Sequence, residues 1–130
     1  MAYVRKKKVG KYEYYQLVEG RRENGKVIQR VIFHLGRHET PEAALAYLQE
    51  SAEQWRQQAR DHLRGAQLIR ERAVRPVRRG RTWWWRLPSE NARGWFNHPG
   101  SAEDAEREAQ EYLVKAGRLD ERAERLRSVL

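Results

Sequence analysis

The sequence predicts an α+β fold in which two small β-hairpin/helix units are linked by a long central helix. Composition alternates along the chain: Gly, Tyr, Trp and β-branched residues concentrate in residues 1–38 and 74–98, while 39–73 and 99–130 are rich in Ala, Glu, Arg and Leu. Charge alternates in step. Residues 1–38 hold 10 Lys/Arg against 3 Asp/Glu and residues 74–98 hold 6 against 1, whereas 39–73 hold 5 against 6 and 99–130 hold 6 against 8. The division that follows is 1–40 for a basic β-sheet unit, 41–74 for the long helix, and 75–130 for a second β-hairpin with C-terminal helices.

In the first unit, residues 11–19 alternate as a strand, with Tyr12, Tyr14 and Val18 on one face and Tyr15 and Leu17 on the other. Asn24-Gly25 is a strong short hairpin signal, because both residues tolerate positive φ. The returning strand, 26–35, places Val27, Val31, Phe33 and Leu35 on one face and Ile28, Arg30, Ile32 and His34 on the other. Residues 3–9 form a third strand that turns at Gly10, and Gly36 ends the sheet. Thr40 is an N-cap candidate, Pro41 suits the first helical position and Glu42 complements the dipole.

From Pro41 to about Val74 only Gly65 interrupts good helix formers, and Pro76 stops the run, giving a rod of about 50 Å. Its seam of Leu45, Leu48, Ala52, Trp55, Ala59, His62, Ala66, Ile69 and Ala73 follows the 3,4 spacing of a heptad repeat. Two arrangements satisfy it. One is a homodimeric coiled coil using Leu45, Leu48, Trp55, Ala59 and Ile69; the other is a helix closing over this chain's own C-terminal helices. His62 reads as a tolerated seam residue.

The second unit places a strand at 81–87, a turn at 88–93 and a shorter return at 94–97. Ser101, with Asp104 three residues on, is an N-cap close to a capping box. The helix beyond it is expected to stop at Gly117 in a C′ position, with a short final helix carrying Leu119, Ala123, Leu126 and Leu130.

A formal charge of +9, a pI near 10.2 and a mean hydropathy of -1.03 allow a modest core and no large enclosed cavity. No run approaches the roughly 18 apolar residues of a membrane span, and residues 1–8 lack the apolar stretch of a signal peptide, so a cytoplasmic protein is expected. The absence of Cys excludes disulfides, thiolate metal sites and a cysteine nucleophile. His34, His38, His62 and His98 lack metal-ligand spacing, and the three Asp residues sit in helices. No phosphate-loop or dinucleotide motif is present. Neither an enzyme nor a cofactor or metal is expected.

What the residues do offer is cation interleaved with aromatic. Arg5, Lys6, Lys7 and Lys8, with Lys11 and Arg30, flank the Tyr-rich strand; Arg75, Arg78, Arg79, Arg81 and Arg86 flank Trp83, Trp84 and Trp85. Both sets suit phosphate contact and base stacking. The Trp cluster also suits a core or a protein interface, where Trp and Arg are enriched.

The stretch Tyr14-Tyr15-Gln16-Leu17-Val18-Glu19, preceded by the basic block and followed by Gln29-Arg30 and His34-Leu35-Gly36, resembles the start of DDE-type insertion-sequence transposases. The resemblance covers about the first 45 residues. It implies DNA contact by this segment, with Arg5, Lys6, Lys7, Lys8, Lys11 and Arg30 at positions that match basic ones. The RNase H-like catalytic domain of that family has no room in 130 residues. A looser likeness is to the sheet-plus-helix arm-binding domains of phage-type integrases, which place a sheet in the major groove. The expectation is a non-enzymatic nucleic-acid-binding protein, with double-stranded DNA favoured over RNA. The alternative is a phage or mobile-element regulator that grips an acidic protein, such as a polymerase or nuclease, through the Trp cluster.

Overall fold

The structure is a computed structural model that describes residues 2–72, 77–85, 96–98 and 101–130, with 77, 79, 82–85 and 96–98 described as backbone. Three antiparallel strands come first, β1 (Ala2–Val9), β2 (Tyr12–Glu23) and β3 (Lys26–Gly36), followed by helix α1 (Pro41–Arg70). A second three-stranded antiparallel sheet, β4 (Val77–Arg79), β5 (Thr82–Trp85) and β6 (Phe96–His98), precedes helix α2 (Ala102–Ser128). The α+β class expected from composition is the class observed. The chain forms two compact units, one from Met1–Ser51 with Leu119–Leu130 and one from Ala52–Arg118.

Local signals set the boundaries. Asn24 and Gly25 take φ of 53° and 79°, the two consecutive positive values that a tight hairpin turn requires. Thr40 Oγ1 accepts a hydrogen bond from the Ala43 amide at 3.1 Å, and Ser101 Oγ accepts one from the Asp104 amide at 3.1 Å, so both expected N-caps form.

In the first unit, Leu17 and Leu35 of the sheet pack with Ala44 and Leu48 of α1 and with Ala123 and Leu126 of α2. Tyr15, Ile32, Phe33, Leu45 and Leu119 surround this core. The β2–β3 pairing corrects the expected alternation of β3. Leu17 lies opposite Phe33 but Val18 lies opposite Val31, and Tyr15 lies opposite Gly36 but Gln16 opposite His34. Each shift inserts an extra β3 residue, Ile32 and Leu35, so Phe33 and Val31 fall on opposite faces instead of one.

In the second unit, Ala66 of α1 packs with Ala102 and Ala105 of α2, and Ile69 lies against them. Trp55 stacks on Tyr112 with ring centroids 5.3 Å apart, and His62 meets the same ring edge-on at 5.1 Å. Lys115 Nζ sits 4.5 Å from the Trp55 ring centre, a cation–π contact. His62 Nδ1 donates to the Gln58 carbonyl at 2.9 Å. Burial, followed by the hydrogen bond to Glu108, pushes the Tyr112 phenol above its ordinary pKa. Within this unit the two helical stretches run antiparallel, and the small side chains of Ala59, Ala66, Ala105 and Ala109 are buried. Along the heptad seam, Trp55, Ala66 and Ile69 pack against α2 of the same chain.

Three further differences from expectation have local causes. Helix α1 ends at Arg70 rather than near Val74, with Arg72 at φ 59° donating its amide to the Ile69 carbonyl. An additional strand, β4, pairs with β5 through Val77↔Trp84 and Arg78↔Trp83, closing on Gly80 at φ 64°. β6 pairs with β5 as the expected return strand, while the expected turn at 88–93 lies outside the described residues.

The third difference is that α2 runs through Gly117 without a break, so no short final helix exists. Gly117 does not take a positive φ, and a Cβ built on it meets nothing within 4 Å. Substituting Gly117→Ala should therefore stabilise the protein by about 0.5–1 kcal/mol through helix propensity. Urea denaturation checks this, and a loss of stability would place Gly117 back in a left-handed cap.

Candidate nucleic-acid interface

The β1–β2 register sorts the sheet's charges by face. Residues opposite one another share a face, and successive residues alternate. Lys6 is paired with Tyr15 and Val4 with Leu17, so Val4, Lys6 and Lys8 share the core-facing side with Glu13, Glu19 and Glu23. Arg5 is paired with Gln16, Lys7 with Tyr14, and Tyr3 with Val18, so Tyr3, Arg5 and Lys7 lie on the other, open face. The run Arg5-Lys6-Lys7-Lys8 therefore splits two and two, as any run of four on a strand must.

Neutralisation differs between the faces. Lys6 Nζ forms an ion pair with Glu13 at 3.1 Å, and that hydrogen-bonded carboxylate raises the Lys6 ammonium above the usual lysine range. On the open face, β1, β2 and β3 present Arg5, Lys7 and Arg22 and no carboxylate, since all three sheet glutamates occupy the alternate positions.

A hydrogen-bonded network crosses the three strands on this face. Arg5 donates from Nη1 to Gln29 Oε1 at 2.7 Å and from Nη2 to Gln16 Oε1 at 2.8 Å. Gln29 Nε2 donates onward to the Tyr3 hydroxyl, and Gln16 Nε2 lies 3.4 Å from His34 Nδ1. Val18, between Tyr3 and Val31, is fully buried beneath this layer. Around it Tyr12, Val9 and Tyr3 are exposed, Tyr12 at 75%. The result is a cationic, tyrosine- and amide-bearing surface: Arg, Gln and Tyr donors suit phosphate oxygens and base edges.

Lys11 stands in the β1–β2 turn, and Arg30 lies opposite Glu19 on the core-facing side. At that same strand's far end, Arg122 donates to the His34 carbonyl at 3.5 Å and covers the Phe33 ring at 5.4 Å. In the second unit, Arg78 and Arg81 are exposed around Gly80, with Arg78 Nε donating to the Gly80 carbonyl at 3.1 Å. Arg79, Trp83, Trp84 and Trp85 are placed by backbone in β4 and β5. The expected contacts Arg75 and Arg86 lie outside the described residues. Tyr3, Gln16, Arg22, Gln29 and His34 are not among the nucleic-acid contacts that the sequence predicts. Their grouping depends on register, and the one available signal was the alternation of β2, which places Gln16 beside Tyr14 and Val18.

The sequence matches the family described as IS1634 family transposase, N-terminal domain, over residues 2–68, just over half of the chain. The chain belongs to this family. The match to the transposase N-terminal domain takes in β1 to β3 and nearly all of α1, extending the resemblance seen in the first 45 residues. Ala123 and Leu126, which complete the core beneath the sheet, lie outside it. No curated protein and no solved structure matches the chain. No helix among the described residues is long and apolar enough to cross a membrane.

The network also has a stability consequence. Replacing Arg5 with Met leaves Gln16 and Gln29 without the donor they share, and should cost about 1–3 kcal/mol in chemical denaturation. Lys7→Met, with no ion-pair partner among the described residues to lose, should stay within about 0.5 kcal/mol of wild type. Equal effects would mean that the network does not hold in solution.

Proposed function

We propose that this transposase-family chain is a non-enzymatic binding module for double-stranded DNA, which it contacts through the open face of the first sheet. The observation that carries this reading is the segregation of charge: three cations and no carboxylate on a face that also presents tyrosines, Gln29 and a histidine, with Gln16 buried beneath them. Mixed-sign surfaces are the usual state of a soluble protein, whereas an acid-free strand face beside a polyanion gains affinity from every phosphate it neutralises. Membership in a mobile-element family supports DNA as the polyanion. Arg78 and Arg81, exposed at the β4–β5 turn, offer a second set of phosphate contacts.

Affinity for duplex DNA should fall steeply with salt, with a log–log slope of about -0.9 for each phosphate neutralised. Lys7→Ala should reduce that slope by about 1, while Lys6→Ala, on the opposite face and paired with Glu13, should change it little. Fluorescence anisotropy at several salt concentrations checks both. Equal damage from the two variants would reject the open face, and affinity that barely responds to salt would reject phosphate contact.

A further inference from the structure

The β2–β3 hairpin continues past the end of β1. Strand β1 pairs with β2 as far as Ala2↔Glu19, whereas β2 and β3 stay paired through Gly20↔Gln29, Arg21↔Ile28, Arg22↔Val27 and Glu23↔Lys26. Four further pairs, at about 3.3 Å per residue, make a two-stranded finger about 13 Å long. Every residue from Arg21 to Val31 is exposed.

Two features of this finger call for a partner. An isolated two-stranded ribbon is marginal in water, and this one presents an apolar side chain on each face, Val27 at 64% exposure and Ile28 at 46%. Contact on one face would cover only one of them; a partner with two walls covers both. The finger and its root are also basic. Arg21 is engaged by Glu23 at 3.0 Å, but Arg22, Lys26 and Arg30 make no ion pair among the described residues.

The partner must be negatively charged, walled on two sides and wide enough for two strands. The major groove of B-form DNA is about 12 Å wide and admits a two-stranded ribbon, whereas the minor groove, about 6 Å wide, does not. A-form RNA has a major groove too narrow for protein side chains to read. Charge, width and a double wall agree on one site.

We infer that the 20–29 ribbon is a finger that enters the major groove of duplex DNA. Arg22 and Lys26 reach phosphates or guanine edges along the groove, and Val27 and Ile28 pack against base edges such as the thymine methyl. Gln29 fixes the root of the finger to the sheet through Arg5 and Tyr3. The inference rests on the duplex-DNA reading above and deepens it by naming the element and the groove.

Dimethyl sulfate protection of guanine N7, which lies in the major groove, tests this with the full chain on a mixed-sequence duplex. Wild type should protect N7. Val27→Ser with Ile28→Ser keeps every charge and should abolish protection while leaving the salt slope of binding unchanged. Arg22→Ala with Lys26→Ala should lower that slope by about 2. An RNA duplex of the same sequence should bind about tenfold more weakly. The finger is refuted if wild type binds the duplex without protecting N7, if the serine variant protects as well as wild type, if the slope ignores Arg22 and Lys26, or if RNA binds equally. Those outcomes leave the duplex-DNA reading standing, whereas no binding to the duplex at all removes both.

Discussion

The pairing of β1 with β2 in one register is the constraint on which both the fold and the candidate interface depend. Leu17 is the residue that sets it. With Leu35 it closes the core against Ala44, Leu48, Ala123 and Leu126, so its side of β2 must face the helices. Because strand side chains alternate with a period of two, the same choice sends Glu13, Glu19 and Glu23 to the core-facing side and Tyr12, Tyr14 and Gln16 to the open one. A slip of one residue would move Leu17 into water and deliver three carboxylates to the open face. The free energy that protects the core, about 2 kcal/mol for a leucine of this burial, thus also protects the electrostatics.

The two helices contribute to this economy through small residues. Ala44, Ala52, Ala59, Ala66, Ala105, Ala109, Ala116 and Ala123 are buried, and alanine permits close backbone approach while adding little apolar area. Cores of this kind gain specificity from the few large groups that break the pattern. In the second unit these are Trp55 and Tyr112, with His62 at the ring edge and Lys115 above the indole. In the first they are Leu17, Leu48 and Leu126.

Features decided by neighbours in sequence were legible before the structure: the Asn24-Gly25 turn, the Thr40 and Ser101 caps, the long helix α1 and the face assignment of β2. Features decided by partners distant in sequence were not. The bulges at Ile32 and Leu35 leave β3 reading as an uninterrupted alternation, because a bulge is a property of the pair and not of one strand. Gly117 carries the local mark of a helix end, yet Ala116 and Ala123 on either side are both buried, and tertiary packing overrides the propensity. The basic block was found by composition, but its division between two faces, and the grouping of Arg5 with Gln16 and Gln29 from other strands, required the register.

On the proposed reading, the open face holds two physically different kinds of cation. Arg5 is fixed between two amide oxygens, so the side-chain entropy of ordering it is spent on folding and not on binding. Lys7 and Arg22 have no such partner among the described residues and must be ordered by the ligand. Mobile cations tolerate variation in phosphate position, which serves sequence-independent attraction. A guanidinium held in place by neighbouring amides discriminates by geometry, because a base edge that does not meet it leaves buried polar atoms without partners. The buried Arg5 Nε, which has no hydrogen-bond partner among the described residues, already belongs to that second class. Attraction and discrimination therefore sit on one face of one sheet, separated by whether the protein or the ligand orders the side chain.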